Sequence, residues 1–440
     1  MRLFLKLVGK ILKSILVIVL VGLAIGIAWF PWRPSALRQQ PRIVETESSV
    51  SLPEDVAALG LYAQYFKGFD LSPGRYTIEK LELQASWISD NLVQTYNGLL
   101  DIPLHPEDIP ALKDLSLFRG FVNLTRLRDM SGQIVGIGSQ VETIAFSSNP
   151  LKHVINADTD WTFVIPGRGV LFLSQEEGGP DLGALQDMAK KTGQELKGEW
   201  RINHTLGPLP NRWGIIHGGT GDFEGVVGVF QEYNIVHGVP PKGDIDANSE
   251  YKLTYIRPSN ARSGPGQKLP EDVAKYNLPP TSLLRLDFDR PYEVKHRRFH
   301  LEMPRDAIYQ TRGEQRTDAV IPASMPTYKA ISLRKVTSLL AKIRDETGTV
   351  IGLAGATTVH ADDRKYAQWT LTLPGEGTLH VLPDSESVPG GEAPAVLSSG
   401  GGIVSGTGIY ADVTGTVKER VHNTSDGWRV ELELTFVRNR

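Results

Sequence analysis

The sequence predicts a mainly β protein: two tandem antiparallel β-barrels after a single N-terminal transmembrane helix. Three observations lead there. An apolar run lies near the N-terminus, a set of motifs occurs twice in the same order, and apolar and polar residues alternate with period 2 inside each copy.

Arg2, Lys6, Lys10 and Lys13 precede an apolar run from Ile15 to Phe30, and Pro31, Trp32 and Arg33 follow it. With Lys13 snorkelling, the run is long enough for a hydrocarbon core of about 30 Å. Basic residues concentrated ahead of it favour a cytoplasmic N-terminus, and Trp29 and Trp32 fall at the far interface. The expected address is therefore the inner membrane, single-pass, with the body on the periplasmic side. A cleaved signal peptide is the other reading, since Gly26 and Ala28 form a small-x-small pair. Residues 1–34 are assigned to the anchor, and the polar, aperiodic residues 35–50 to a tether.

The repeat sets the architecture of the rest. Leu52-Pro53-Glu54-Asp55-Val56-Ala57 recurs 217 residues later as Leu269-Pro270-Glu271-Asp272-Val273-Ala274. Arg128-Asp129 with Gly132 and Gly136 recurs as Arg344-Asp345 with Gly348 and Gly352. Trp161-Thr162 before Pro166-Gly167-Arg168-Gly169 is echoed by Trp369-Thr370 before Pro374-Gly375-Glu376-Gly377. Finally Gly219-Thr220-Gly221 with Gly228 and Glu232 returns as Gly406-Thr407-Gly408 with Gly415 and Glu419. The offset shrinks to 187 at this last block, so copy one carries extra residues, and Leu182 to Leu196 among them reads as a short amphipathic helix. The copies are placed at 51–257 and 268–440, joined by a Pro/Gly/Ser-rich linker at 258–267.

Inside each copy the pattern is strand and turn. Trp428, Val430, Leu432, Leu434 and Phe436 alternate with Arg429, Glu431, Glu433 and Thr435, and Tyr251, Leu253 and Tyr255 with Lys252 and Thr254. Trp161, Phe163 and Ile165 share one strand face, as do Trp369, Leu371 and Leu373; each strand runs through Pro-Gly-x-Gly into another apolar strand, which makes a hairpin. Short antiparallel strands with glycine corners point to a sandwich or a closed barrel, and closure removes exposed edges.

The 440-residue composition, 40 % hydrophobic and 22 % charged, permits a sizeable core. A net charge of −3 gives no reason to expect nucleic acid. The absence of cysteine removes disulfides, thiolate nucleophiles and Cys-based metal sites. The ten histidines show no metal-ligand spacing, and neither a Gly-x-Ser-x-Gly elbow nor a Walker loop occurs, so no metal, nucleotide or other cofactor is expected. Gly219-x-Gly221 is followed by β-type alternation rather than a helix, which reads as glycine relieving a strand bend. Arg128-Asp129 and Arg344-Asp345 read as local ion pairs or turn caps.

The segment Gly218-Gly219-Thr220-Gly221-Asp222-Phe223-Glu224-Gly225-Val226-Val227-Gly228, with the strand, turn and alternating strand after it, resembles the C-terminal half of allene oxide cyclases. The same Gly-rich strand occurs in plant dirigent proteins, which share that eight-stranded, calycin-like barrel; Gly406 to Gly415 and Trp428 to Phe436 fit it as well. The resemblance covers roughly the last third of each copy. It implies a cavity in which a lipophilic or aromatic small molecule is guided through cyclisation or coupling. None of the family's catalytic residues matches a position here.

Glu232 and Glu419 are the candidate catalytic groups. Val417, Glu419 and Val421 share one strand face while Thr416, Lys418 and Arg420 share the other, which turns Glu419 inward; Glu232 takes the equivalent place beside Phe230. A carboxylate in an apolar barrel has a raised pKa unless paired, and suits acid–base work in enolisation or cyclisation. A structural carboxylate bonded to an inward Arg or Tyr, or an outward register, is the alternative. Trp161 and Trp369 read as core; with Phe230, Tyr251 and Tyr255 they are also the candidate ligand wall, since a barrel interior can be both packing and pocket. The expected function is a cofactor-independent cyclase, isomerase or stereochemical guide for a lipophilic molecule. A non-catalytic carrier of such a ligand and a structural scaffold are the alternatives.

Overall fold

The computed structural model describes residues 52–66, 69–87, 89–94, 100–102, 115–147, 157–178, 182–243, 245–259, 269–276, 278, 286–304, 333–361, 364–373, 376–383, 396–411, 413–425 and 427–439. The expected membrane span and tether lie outside the described residues, as does most of the 258–267 linker. Among the described residues no helix is long and apolar enough to cross a membrane.

Copy one opens with a single helical turn, α1 (Glu54–Ala57), and continues through β1 (Tyr76–Ser86), β2 (Asn91–Gln94), β3 (Leu100–Ile102), β4 (Leu115–Arg128), β5 (Ile134–Ser147), β6 (Ala157–Ile165) and β7 (Gly169–Glu177). Next come α2 (Leu182–Thr192), β8 (Leu196–Asn203), β9 (Thr205–Gly207), β10 (Gly214–Gly219), β11 (Val227–Val239) and β12 (Asp246–Pro258). Copy two consists of α3 (Glu271–Ala274), β13 (Tyr292–Pro304), β14 (Leu333–Arg344), β15 (Val350–Ala361), β16 (Arg364–Leu373), β17 (Gly377–Pro383), β18 (Val396–Gly406), β19 (Thr414–Thr424) and β20 (Gly427–Asn439).

Strands β13 to β20 pair in chain order into a closed antiparallel barrel of eight. In copy one, β1, β4, β5, β6, β7, β10, β11 and β12 close the same way, the circle completed between β1 and β4. Each barrel closes through its thinnest pairing, and at the same register: Gln84 opposite Arg128 in one, His300 opposite Arg344 in the other. The extra residues of copy one include α2, which starts at Leu182 as the apolar spacing predicts but ends at Thr192, Leu196 opening β8 instead; Leu185 and Ala189 pack against Val236, Val239 and Ala247. The extra residues also break one barrel strand into β8, β9 and β10. The first of these pairs with the far half of β11, the second with the end of β7, and the third with the near halves of both.

Alternation fills each interior. Trp161, Phe163, Ile165, Leu171, Leu173, Phe230, Tyr251, Leu253 and Tyr255 share one buried cluster; Trp369, Leu371, Leu373, Leu379, Val381, Val417, Leu432 and Leu434 share the other. The repeated Leu-Pro-Glu-Asp-Val-Ala motif acts alike in both copies. Its valine, Val56 or Val273, is fully buried on the outside of a barrel wall, and its aspartate accepts the hydroxyl of Tyr76 (2.8 Å) or Tyr292 (2.7 Å). Asp129 and Asp345 cap their turns, accepting from the backbone of Ser131 and Gln133, or Thr347 and Thr349. Arg128 reaches across to the buried Asp90 at 2.6 Å.

The two barrels pack wall to wall through polar and aromatic side chains. Ser139 bonds the hydroxyl of Thr357, and the buried Asp160 accepts from Ser174 of its own barrel and from Thr378 (2.7 Å) and Thr372 (3.3 Å) of the other. Phe172 stacks on His380 with centroids 4.9 Å apart. In the repeat these two are the same position, three residues beyond Gly169 and Gly377. Likewise Ser139 corresponds to Gly355 and Val141 to Thr357. Ser139 faces Thr357, and a Cβ on Gly355 would come within 2.4 Å of Val141. Each residue meets the counterpart of its neighbour's position, the signature of a two-fold, isologous contact.

Candidate active site

The interior of barrel 1 is apolar toward the end that carries the Gly-Thr-Gly turn and polar toward the other. Leu171 and Leu173 on β7 are followed in phase by Gln175 and Glu177, and Gly138 on β5 by Gln140 and Glu142. Period 2 sends these side chains into the same lumen as Glu232, which β11 places two residues beyond Phe230. His204 comes from the short break between β8 and β9, where its backbone N–H reaches Glu232 O at 2.9 Å.

A ring of hydrogen bonds fixes the arrangement. The Glu232 backbone N–H donates to Thr205 Oγ1 (2.7 Å), and that hydroxyl donates to Gln175 Oε1 (2.6 Å). The amide is thereby oriented, and Gln175 Nε2 donates to Glu232 Oε2 (2.6 Å) and Glu177 Oε1 (2.6 Å). Gln140 Nε2 adds a bond to Glu177 (3.1 Å), and Ser249 Oγ one to Glu232 Oε1 (3.2 Å). His204 Nε2 closes on Glu177 Oε2 at 3.0 Å, its side chain 21 % exposed where that of Glu177 is 4 %, so the imidazole is the solvent side of the cluster.

Three carboxyl groups thus share little space with one imidazole. Burial pushes Glu232 up to about 7; the positive charge of His204 and the bonds from Gln175 and Ser249 oppose it, and the charge of Glu177 adds to it. Burial, then the charges of Glu177 and Glu232, hold Glu142 well above the usual carboxylate range. Burial pulls His204 down, but the charge and hydrogen bond of Glu177 outweigh it and carry the imidazole to about 9. Near neutrality Glu232 therefore titrates beside the imidazolium of His204.

Ligand atoms of Glu177, His204 and Glu232 lie within 4.8 Å of one another, close enough to share a cation. The oriented Gln175 amide aims its N–H groups at both carboxylates and occupies those oxygens, so the arrangement fits protons better than a metal ion. Sequence spacing does not reveal this trio, because two of its members sit on separate strands, β7 and β11, and the third in the break between β8 and β9.

The predicted residues fall into three groups. Glu232, Trp161, Tyr251 and Phe230 share the barrel-1 lumen: the Trp161 and Tyr251 rings meet edge to face at 5.4 Å, and Phe163 joins them at 5.5 and 5.2 Å. Tyr255 belongs to the same buried cluster but at its turn end, where its ring meets Phe223 edge to face at 6.0 Å and its hydroxyl bonds Glu79 (3.0 Å) beside Arg257. Trp369 and Glu419 sit in barrel 2, where the indole Nε1 donates to Glu419 Oε1 at 2.9 Å.

Barrel 2 lacks the rest of the cluster. The counterparts of Gln140, Asn234, Ser249 and Tyr251 are Ala356, Val421, Val430 and Leu432, and those of Gln175 and His204 are Pro383 and Ser399. Of the cluster's carboxylates, Glu232 has its counterpart in Glu419, which is buried and accepts from the Trp369 indole.

No protein family matches the chain by its sequence pattern, and no curated protein is similar to it in sequence. Among solved structures, it is similar to AbnU, described as an exo-specific intermolecular Diels-Alderase, at 12 % identity over 41 % of this chain and 99 % of that one, with a TM-score of 0.20. It is also similar to an AttH-type protein of Nitrosomonas europaea at 9 % identity, over 85 % of this chain and 96 % of that one, with a TM-score of 0.11. At such scores neither likeness bears on chemistry.

Proposed function

We propose that this protein is a membrane-held, cofactor-independent cyclase or isomerase that works in barrel 1 on a lipophilic small molecule, with barrel 2 as its structural mate. The observation that carries the reading is the hydrogen-bond ring that holds Glu232 at the junction of an aromatic wall and a buried acid–imidazole cluster, in one copy only. Isomerisation and cyclisation return every atom and electron to the product. A group that lends a proton and takes it back is then sufficient, and a carboxyl titrating near neutral pH is matched to that task. The resemblance of both Gly-Thr-Gly segments to allene oxide cyclases and dirigent proteins agrees with such chemistry. The N-terminal apolar run would hold the body at the periplasmic face of the inner membrane, where lipophilic substrates concentrate.

The test is mass spectrometry of lipophilic material that co-purifies with the detergent-extracted protein, followed by separate assays of retention and turnover. Glu232→Gln is expected to keep the molecule bound and to slow its conversion by at least about 100-fold, while Glu419→Gln changes neither. Retention without conversion by the wild-type protein would make it a carrier instead. Indifference of both measurements to Glu232→Gln would remove the reading.

A further inference from the structure

Trp161 is 1 % exposed inside barrel 1, and its indole Nε1–H has no acceptor among the described residues. Its counterpart Trp369 has one, Glu419, and Glu419 is the counterpart of Glu232. In barrel 1 that carboxylate is bonded by Gln175 and Ser249, and the corresponding positions in barrel 2 are Pro383 and Val430, whose side chains donate no hydrogen bond. Barrel 2 therefore shows the pair closed, and barrel 1 the same pair opened by two polar residues. An orphaned buried N–H is costly and rare in proteins, and where it persists it calls for a partner.

Resting on the assignment of barrel 1 as a ligand site, we infer that its substrate is a lipophilic carbonyl compound whose oxygen accepts the Trp161 N–H. The indole is donor only, so the complementary group is an acceptor. A carbonyl brings no hydroxyl proton that would itself need a partner against Trp161, Phe163 and Tyr251. The N–H then polarises the C=O and makes the adjacent C–H more acidic. Glu232 as carboxylate removes that proton, and the C–H electron pair becomes the C=C of an enolate whose negative oxygen Trp161 stabilises. The same proton returns from Glu232 to a carbon of the rearranged skeleton, so nothing is oxidised or reduced and no water is consumed.

The experiment uses the full chain in detergent, labelled with ¹⁵N at the indoles. The probes are 6-propionyl-2-dimethylaminonaphthalene and its carbonyl-free analogue, 2-dimethylaminonaphthalene. The ketone is expected to bind about tenfold more tightly than the analogue, and to move downfield the indole signal that is missing from Trp161→Phe. In Trp161→Phe the preference for the ketone over the analogue falls to about one; Trp369→Phe keeps the preference. The wild-type titration alone decides the matter if Trp161→Phe does not fold. Equal binding of both probes in the barrel-1 lumen, or a Trp161 signal already as far downfield as that of Trp369 without probe, overturns the inference and leaves the ligand site standing. Failure of both probes to bind, or to shift any barrel-1 signal, overturns the inference and the site together.

Discussion

Glu232 stands opposite Tyr251 and Glu419 opposite Leu432, on the same rung of two equivalent strand pairs. What differs is the company. Folding raises the pKa of Glu232 from 4.5 to about 7, so the folded chain keeps a proton that the unfolded chain releases, and stability falls as pH rises through that window. His204, raised from 6.5 to about 9, stabilises the fold fully below 6.5 and loses that contribution as pH rises through 9. Both act in the same direction, so the urea midpoint is expected to decline from pH 5 to pH 9. Glu232→Gln should flatten the lower half of that decline. In barrel 2, Glu419→Ala should lower stability by about 1–3 kcal/mol, because it leaves the Trp369 N–H buried without an acceptor; equilibrium unfolding of Glu419→Gln, which keeps an oxygen there, should show much less. The inward direction of both glutamates was legible from alternation, and so was that of Trp161. Glu177 and Gln175 continue the phase of Leu171 and Leu173 and were within reach of the same rule, but the apolar run draws attention to its own end. His204 lies where a strand breaks, and no periodicity marks such a residue.

Single turns at the Gly-Thr-Gly blocks show how closely the repeat is kept at the level of elements. Each strand into the block, β10 or β18, ends in a 3₁₀ turn, Gly221–Phe223 or Gly408–Tyr410, before the next strand begins. Gly221 and Gly408 have φ of 62° and 59°, and a Cβ on them would lie 2.4 Å from Arg168 O or 2.2 Å from Glu376 O. Alanine at either is expected to cost more than about 1 kcal/mol, by strain and by contact together. Gly132, at φ 85° with open space around it, should lose only the conformational part, and thermal unfolding of the three variants would rank them. Strand content, hairpins, the two Gly corners and α2 follow from local pattern. The splitting of one barrel strand into β8, β9 and β10 does not, because its cause is pairing with two different neighbours rather than anything in the segment itself.

At the scale of the molecule, the contact between barrels was the least legible part. Its residues, Ser139, Asp160, Thr372 and Thr378 among them, read as the polar outer faces of half-buried strands, which is how solvent-facing positions read too. Burial on both faces of β7 is the structural sign that a second wall covers it. Gly355 marks the tightest approach, so Gly355→Leu should drive the walls apart at a cost of about 1–3 kcal/mol. Hydrogen exchange would report it as faster opening of β5 and β15 with the barrel interiors still protected. Uniform loss of protection throughout both barrels would show instead that the contact is part of each barrel's own stability.

The pseudo-two-fold stacking of Phe172 on His380 joins halves that are encoded separately. In a pair of identical subunits every substitution would appear on both sides of the axis at once, and a polar cluster drilled into one core would be drilled into the other. Covalent tandem linkage lifts that constraint: one half can spend its interior stability on chemistry while the other keeps an oily centre and lends it rigidity.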